Sequence, residues 1–111
     1  MKMGRSDAAG KTEKAKPKLV KITNSPKPTK KLRAVFTIGG RTKTVDFGAA
    51  GMTDYLLSGD TEKRELYRER HKKDLETHDP TKAGFLSYYI LWGPHTTLQQ
   101  NIEAYTSRFG L

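Results

Sequence analysis

The sequence has 111 residues, a net charge of +9 and a pI near 9.9, and only 34% of its residues are hydrophobic. This length suits one domain, and the basic charge predicts a polyanionic partner. The absence of cysteine excludes disulfides, thiolate nucleophiles and cysteine-based zinc sites. No stretch approaches the ~20 apolar residues that span a bilayer and no apolar signal region is present, so we expect no membrane partner.

The excess charge is concentrated in the N-terminal third. Residues 1–33 hold eleven Lys/Arg and two acids, whereas residues 34–111 hold ten of each and are neutral. Residues 1–31 are rich in Lys, Pro, Gly, Ser and Thr and have few large aliphatic side chains. Such a segment buries too little apolar surface to offset its chain entropy, so residues 1–31 are predicted to be a disordered basic tail. Within it, Ser25-Pro26-Lys27 resembles a proline-directed phosphorylation site.

The segment from Leu32 to Phe47 alternates between apolar and polar residues around Gly39-Gly40. Two glycines between alternating runs are a signal for a β-hairpin with a two-residue turn. The turn predicts the pairs Ile38–Arg41, Phe36–Lys43, Ala34–Val45 and Leu32–Phe47. One face of the hairpin is then apolar, and it needs a second layer to pack against.

Helices are predicted for the rest of the chain. Thr53 is a candidate N-cap for a short turn, and Asp60 is the N-cap of a helix that runs to about Thr77. Asp79-Pro80 opens the next segment, because proline suits the first helical position. Residues 85–92 are apolar nearly all round, which predicts a buried helix, with a buried strand as the alternative.

A last amphipathic helix ends at Gly110, and Thr97 with Gln100 forms a capping box at its start. The predicted fold class is therefore α+β, a small single domain with an N-terminal β-hairpin followed by about three helices. This compact domain spans residues 32–111 and is preceded by the disordered basic tail.

Metal binding and catalysis both receive little support. His71 and His78 lie seven residues apart, or ~10 Å along a helix, whereas each bond to a zinc ion is only ~2 Å long. Carboxylates alternate with cations as on a salt-bridged surface, and no nucleophile, base or phosphate-binding loop stands out. Gly48 and Gly51 are better explained by a tight turn. We therefore expect no metal, no cofactor and no enzymatic activity.

The basic tail holds the main candidate DNA contacts, because closely spaced flexible cations neutralise phosphates without reading sequence. They are Lys14, Lys16, Lys18, Lys21, Lys27, Lys30, Lys31 and Arg33. Arg41 and Lys43 at the hairpin tip extend this basic track. If about six cations engage duplex DNA, the logarithm of the affinity falls against the logarithm of the salt concentration with a slope near −5.

The helix over residues 61–77 is expected to be accessory, because it carries six cations and five acids. Its stripe of Tyr67, His71 and Leu75 is expected to face the core, and glutamates on the opposite side would repel phosphates. Arg68 and Lys72 on one flank remain candidate contacts. The aromatic residues Phe85, Tyr88, Tyr89 and Trp92 can stack on unpaired bases, but we expect them to fill the core instead.

Five short motifs stand in order between residues 44 and 111. They are Phe47-Gly48-Ala49-Ala50-Gly51-Met52-Thr53-Asp54-Tyr55, Tyr67 followed by Arg70-His71-Lys72-Lys73, Ala83-Gly84-Phe85, Leu91-Trp92 and Arg108-Phe109. Together they resemble the dinoflagellate/viral nucleoprotein family, whose members occur in dinoflagellate nuclei and in large DNA viruses of algae. The neutral composition of residues 34–111 and the short tail are more similar to a viral member.

The resemblance implies a basic protein that binds and compacts double-stranded DNA without sequence preference, in a host nucleus or a virion core. It makes Arg70, His71, Lys72 and Lys73 candidate DNA contacts. Two functions stay open at this point. The first is a DNA-packaging nucleoprotein, and the second is a viral structural module whose basic tail docks on an acidic protein surface without a DNA role.

Overall fold

The computed structural model describes residues 16–111, which form a three-stranded antiparallel sheet with helices on one face. The strands, in their order across the sheet, are β1 (Lys18–Asn24), β2 (Lys30–Ile38) and β3 (Arg41–Ala49). The helices are α1 (Tyr55–Ser58), α2 (Thr61–His71), a 3₁₀ segment (Lys72–Thr77), α3 (Ala83–Leu86), a π-helical segment (Ser87–Leu91) and α4 (Leu98–Phe109). The predicted α+β fold is confirmed. Within the described part of the chain, no helix has the length and apolar character needed to cross a membrane.

The predicted hairpin has the predicted register. The four expected pairs, from Ile38–Arg41 at the turn to Leu32–Phe47, all occur between β2 and β3. Gly39 and Gly40 have φ of 57° and 84°, which a two-residue hairpin turn requires and a side chain disfavours. The apolar face of the hairpin is buried under the helices, with Phe36 and Phe47 fully covered.

The predicted boundary at residue 31 is wrong, because residues 18–24 form strand β1 along the edge of β2. Leu19 lies opposite Phe36 and Ile22 lies opposite Ala34, so both aliphatic side chains pack on the core. The prediction was based on the composition of residues 1–31, which contain too few apolar residues to fold by themselves. The neighbouring strand supplies the remaining stability through backbone hydrogen bonds. Residues 1–15, for which the tail was also predicted, lie outside the described residues.

Two helix starts differ from the prediction. Asp54, not Thr53, caps α1, because its carboxylate accepts a hydrogen bond from the Leu57 backbone N–H at 3.0 Å. Asp79 accepts hydrogen bonds from the backbone N–H and the hydroxyl of Thr81, which makes a turn, and α3 begins only at Ala83. In contrast, Asp60 caps α2 as predicted.

The apolar run at residues 85–92 is helical rather than extended and forms the centre of the core. Its second half is π-helical, and the Trp92 N–H donates to the Ser87 carbonyl five residues back at 3.0 Å. Asn101 of α4 is fully buried and completes the hydrogen bonding of this segment. Its side-chain nitrogen donates to the Ile90 and His95 carbonyls, both at 2.8 Å, and its oxygen accepts from the His95 N–H. This one amide therefore links α4 to the end of the π-helical segment.

Helix α4 begins and ends where predicted. The Thr97 hydroxyl accepts a hydrogen bond from the Gln100 N–H, and Gly110 adopts a left-handed φ of 65° at the other end. Tyr105 is 1% exposed, and its hydroxyl donates to the Pro80 carbonyl. Burial raises the pKa of the Tyr105 phenol well above its ordinary value.

Candidate nucleic-acid interface

The sheet has one face that the described helices leave exposed. Directly paired residues of antiparallel strands point to the same side, so the register identifies its members. They are Lys18, Lys21, Thr23, Arg33, Val35, Thr37, Thr42, Thr44 and Asp46, which we call the outer sheet face. Lys18, Lys21 and three of the four threonines are exposed.

Asp46 is the one carboxylate of the outer sheet face, and it is neutralised by its neighbours. The Arg33 guanidinium donates two parallel hydrogen bonds to it, at 2.9 Å and 3.0 Å. The Ser25 hydroxyl donates a third at 2.8 Å, and the Lys27 ammonium lies 3.5 Å away. Hydrogen bonding to Arg33 is the main reason that the pKa of Asp46 lies well below its ordinary value. Phosphates approaching this face therefore meet no unpaired negative charge.

Some of the cations predicted as tail contacts are exposed, whereas others are engaged in ion pairs within the protein. Lys16, Lys18, Lys21, Lys27 and Lys30 are exposed. Lys31 is not available, because its ammonium pairs with Asp54 at 2.5 Å and only 18% of its side chain is exposed. Arg33 is engaged with Asp46. Lys14 lies outside the described residues.

The two cations at the hairpin tip, Arg41 and Lys43, also differ in whether they are free to contact a phosphate. Arg41 is exposed, as a DNA contact requires. The Lys43 ammonium donates to the Thr81 hydroxyl at 2.7 Å, which ties β3 to the loop before α3. Lys43 is therefore a structural residue rather than an open phosphate contact.

Arg68 is also structural, contrary to the expectation that it lies on a DNA-binding flank. Its guanidinium donates to the carbonyls of Trp92 at 2.8 Å and Tyr88 at 3.3 Å, and it lies 4.1 Å above the Tyr88 ring. Arg64, one turn earlier, donates to the Gly93 carbonyl at 2.7 Å. Both arginines thus satisfy carbonyls at the C-terminal end of the π-helical segment, where the helix dipole favours cations. The sequence signal for this role is their i, i+4 spacing beside the apolar stripe of α2.

The four residues singled out by the family resemblance lie at the end of α2 and do not act as one patch. Arg70 and Lys73 are exposed. The His71 ring stacks on Tyr67, and its Nδ1 lies 3.2 Å from the Asp74 carboxylate. Lys72 forms an ion pair with Glu69 at 2.8 Å. Two of the four residues, His71 and Lys72, therefore have acidic partners already.

A groove of about 560 Å³ lies between α2 and the ends of β2 and β3. Its lining includes residues from four of the five motifs that carry the resemblance: Gly48, Ala49, Met52, Thr53, Asp54, Tyr67, Arg70, His71, Ala83, Gly84, Leu91 and Trp92. A methyl group on Gly48 would lie 2.7 Å from the Leu91 side chain, and one on Gly84 would lie 2.8 Å from the Asp74 Cβ. These glycines allow the close approach of neighbouring elements at the groove.

The aromatic residues are core residues, as expected. Phe85, Tyr88 and Trp92 are each less than 10% exposed, so they offer no open stacking platform. Tyr67 packs against the core in a column of three rings, 4.5 Å from Trp92 and 4.1 Å from His71 between ring centres. Leu75 also packs on the core, so two members of the predicted stripe face it, whereas the third, His71, has 40% of its side chain exposed. Among residues 16–111, no three metal-binding side chains come together.

Comparison with known proteins gives one match. Residues 20–71, from β1 to the end of α2, are similar to a family of unknown function, DUF5754. No curated protein and no solved structure matches the chain. The matched segment covers less than half of the chain and includes most of the outer sheet face.

Proposed function

We propose that this protein binds double-stranded DNA without sequence preference through the outer sheet face, and that it thereby helps to package DNA. The observation that carries the proposal is the charge of this face. Lys18, Lys21 and Arg33 of the face, with Lys27 of the adjoining loop, meet only one acid, Asp46, which gives a local charge of +3. Residues 16–33 contain seven cations and no acid at all.

The chemistry of the face favours phosphate over bases. Lysine ammonium groups neutralise phosphates as flexible point charges, and exposed threonine hydroxyls donate hydrogen bonds to phosphate oxygens. Neither group is held in a geometry that selects a base pair. The exposed cations on or beside the outer sheet face are Lys16, Lys18, Lys21 and Lys27, so the slope of log affinity against log salt should be about −3.6 if all four engage.

Compaction requires a protein that holds two DNA segments at once. Exposed Arg70 on α2 and Lys73 in the 3₁₀ segment lie on the helical side of the domain, away from the outer sheet face. Basic groups on both sides would let one molecule bridge two duplexes. In this bridging role, Arg70 and Lys73 are secondary DNA contacts.

The proposal is tested by measuring how the affinity for a duplex of random sequence depends on salt, in a mobility-shift assay. Lys21→Ala should reduce the magnitude of the slope by about 0.9, because one phosphate contact is lost. Lys82→Ala removes an exposed cation at the start of α3 and is the matched control, with an unchanged slope expected.

The proposal fails if the wild-type protein does not bind duplex DNA at ~100 mM salt, where phosphate-driven binding persists. In that case polyglutamate tests the alternative function, a basic module that docks on an acidic protein surface. Equal slopes for the Lys21 and Lys82 variants would show that the outer sheet face is not the DNA site.

A further inference from the structure

The groove beside α2 lies away from the outer sheet face, which carries the main proposed contacts with duplex DNA. Of its two carboxylates, Asp54 is buried and pairs with Lys31 at 2.5 Å, whereas Asp74 is 42% exposed and lies 3.2 Å from the His71 Nδ1. Its other cations, Lys30, Lys63 and Arg70, are exposed and form no ion pair within the described residues. The groove therefore has positive charge available for an anionic ligand.

The same groove has apolar walls. The ring column of Trp92, Tyr67 and His71 lies along it, and 40% of the His71 side chain is exposed at the outer end. Met52 and Leu66 also line the groove with 64% and 55% of their surface exposed. Large apolar side chains this exposed, beside cations, indicate a ligand with an apolar body.

The cations are arranged on both walls. Lys30 comes from the start of β2, whereas Lys63 and Arg70 come from α2 on the other side. Lys63 and Arg70 are seven residues apart, so they share a helix face and lie about 10 Å apart along it. A positive groove beside an exposed ring, here His71 at the outer end of the column, is an arrangement by which proteins bind unpaired nucleic-acid strands.

We propose that this groove binds a nucleotide whose base is unpaired, with its phosphate on the groove cations and its base against the apolar walls. A base held in a duplex cannot enter a cavity of this size without leaving its stack. The ligand chemistry is shared by a free nucleotide and by a single-stranded segment. The site lies away from the outer sheet face, so it does not rest on duplex binding, and either site can fail without the other.

The chain contains one tryptophan, Trp92, and it lines the groove. Its fluorescence therefore reports on the site directly. The probes are AMP, the single strand (dA)₈, ribose 5-phosphate and octaglutamate. We expect saturable changes with (dA)₈, and with AMP as well if a free nucleotide suffices. Ribose 5-phosphate, which lacks a base, should bind at least tenfold more weakly than AMP if the walls contribute stacking.

Variants locate the site by calorimetry with (dA)₈. The double variant Lys63→Ala/Arg70→Ala should weaken binding roughly tenfold or more, because charged hydrogen bonds are lost. Ala83→Phe should weaken it by filling the groove without changing charge. Lys82→Ala removes an exposed cation that does not line the groove, and it should have no more than a twofold effect.

Three results would overturn the proposal. The first is the absence of saturable binding of both AMP and (dA)₈. The second is binding that the groove variants and Lys82→Ala weaken equally. The third is a response to octaglutamate alone, which would make the groove a site for acidic peptides. Weak duplex binding with intact (dA)₈ binding would instead contradict only the role of the outer sheet face.

Discussion

Arg33 and Asp46 face each other across β2 and β3 and form a bidentate ion pair at the centre of the outer sheet face. The Asp46 side chain is only 8% exposed, although the face as a whole is open to solvent. The pair joins the hairpin to the loop after β1, because Ser25 donates to the same carboxylate. The ion pair therefore holds the outer sheet face together. It also neutralises Asp46, so that this carboxylate does not repel phosphates.

Asp46→Asn should lower the stability of the fold without lowering its affinity for DNA. The pKa of Asp46 is lower in the folded protein than its ordinary value near 4, so its contribution to stability is present above about pH 4. That contribution is lost as the pH falls towards the folded pKa. Urea unfolding between pH 2.5 and 7 should show lower stability at pH 7 and a weaker acid dependence for the variant. Its affinity for duplex DNA should not fall, because the variant removes a negative charge.

An Asp46→Asn protein that is as stable as the wild type at pH 7 would show that the ion pair does not hold the face together. A large loss of DNA affinity at a pH where the variant is folded would also count against the account.

Ser25→Asp should weaken DNA binding. A carboxylate at this position adds negative charge beside Asp46, at a residue whose sequence context resembles a proline-directed phosphorylation site. An added charge near a phosphate contact costs about 1 kcal/mol in water, or roughly fivefold in affinity. Phosphoserine carries up to ~2 charges and should act more strongly. The control is Ser107→Asp at an exposed position of α4, and its affinity should change less than twofold.

Arg68→Met should destabilise the fold and leave the salt dependence of DNA binding unchanged. The substitution keeps the apolar part of the side chain but leaves the Tyr88 and Trp92 carbonyls without their donor. The expected loss is about 1–3 kcal/mol of unfolding free energy, measured with urea. Arg70→Met is the control, because exposed Arg70 makes no hydrogen bond to these carbonyls, and it should change stability by less than ~0.5 kcal/mol. A larger loss of stability for Arg70→Met than for Arg68→Met would indicate that Arg68 is a surface contact rather than a structural residue.

Tyr105→Phe should reduce the loss of stability at alkaline pH. The pKa of Tyr105 is raised by burial, so the fold favours the neutral phenol. Its contribution is therefore present below the ordinary pKa near 10 and is lost as the pH rises towards the folded value. The variant should be about 1 kcal/mol less stable at pH 7, because the hydrogen bond to Pro80 is lost. Unfolding at pH 8 to 11 should show a flatter curve than for the wild type, and an unchanged curve would contradict this explanation.

Local patterns were enough to predict the hairpin and the last helix. The turn at Gly39-Gly40 determines the register, and the spacing of Leu98, Ile102, Tyr105 and Phe109 determines the buried face of α4. Strand β1 was missed because its stability comes from a partner strand rather than from its own composition. The roles of Arg64 and Arg68 were missed for a related reason, since their acceptors lie more than twenty residues away in the chain.

The candidate site was likewise predicted only in the part that does not depend on long-range contacts. Charge counting placed the excess cations in residues 1–33, and most of the seven cations in residues 16–33 are exposed in the structure. The ion pairs that remove Lys31 and Arg33 depend on long-range contacts with Asp54 and Asp46. The groove likewise needs five or more elements to meet, which no local pattern specifies.

The most direct test of the DNA site is a map of backbone amide chemical shifts during titration of the ¹⁵N-labelled protein with a short duplex of random sequence. We predict that the largest shifts fall on Lys18 to Thr23 and on Thr42 and Thr44, and that they reverse when salt is raised. Shifts confined to α2, with β1 unperturbed at saturating DNA, would contradict the account.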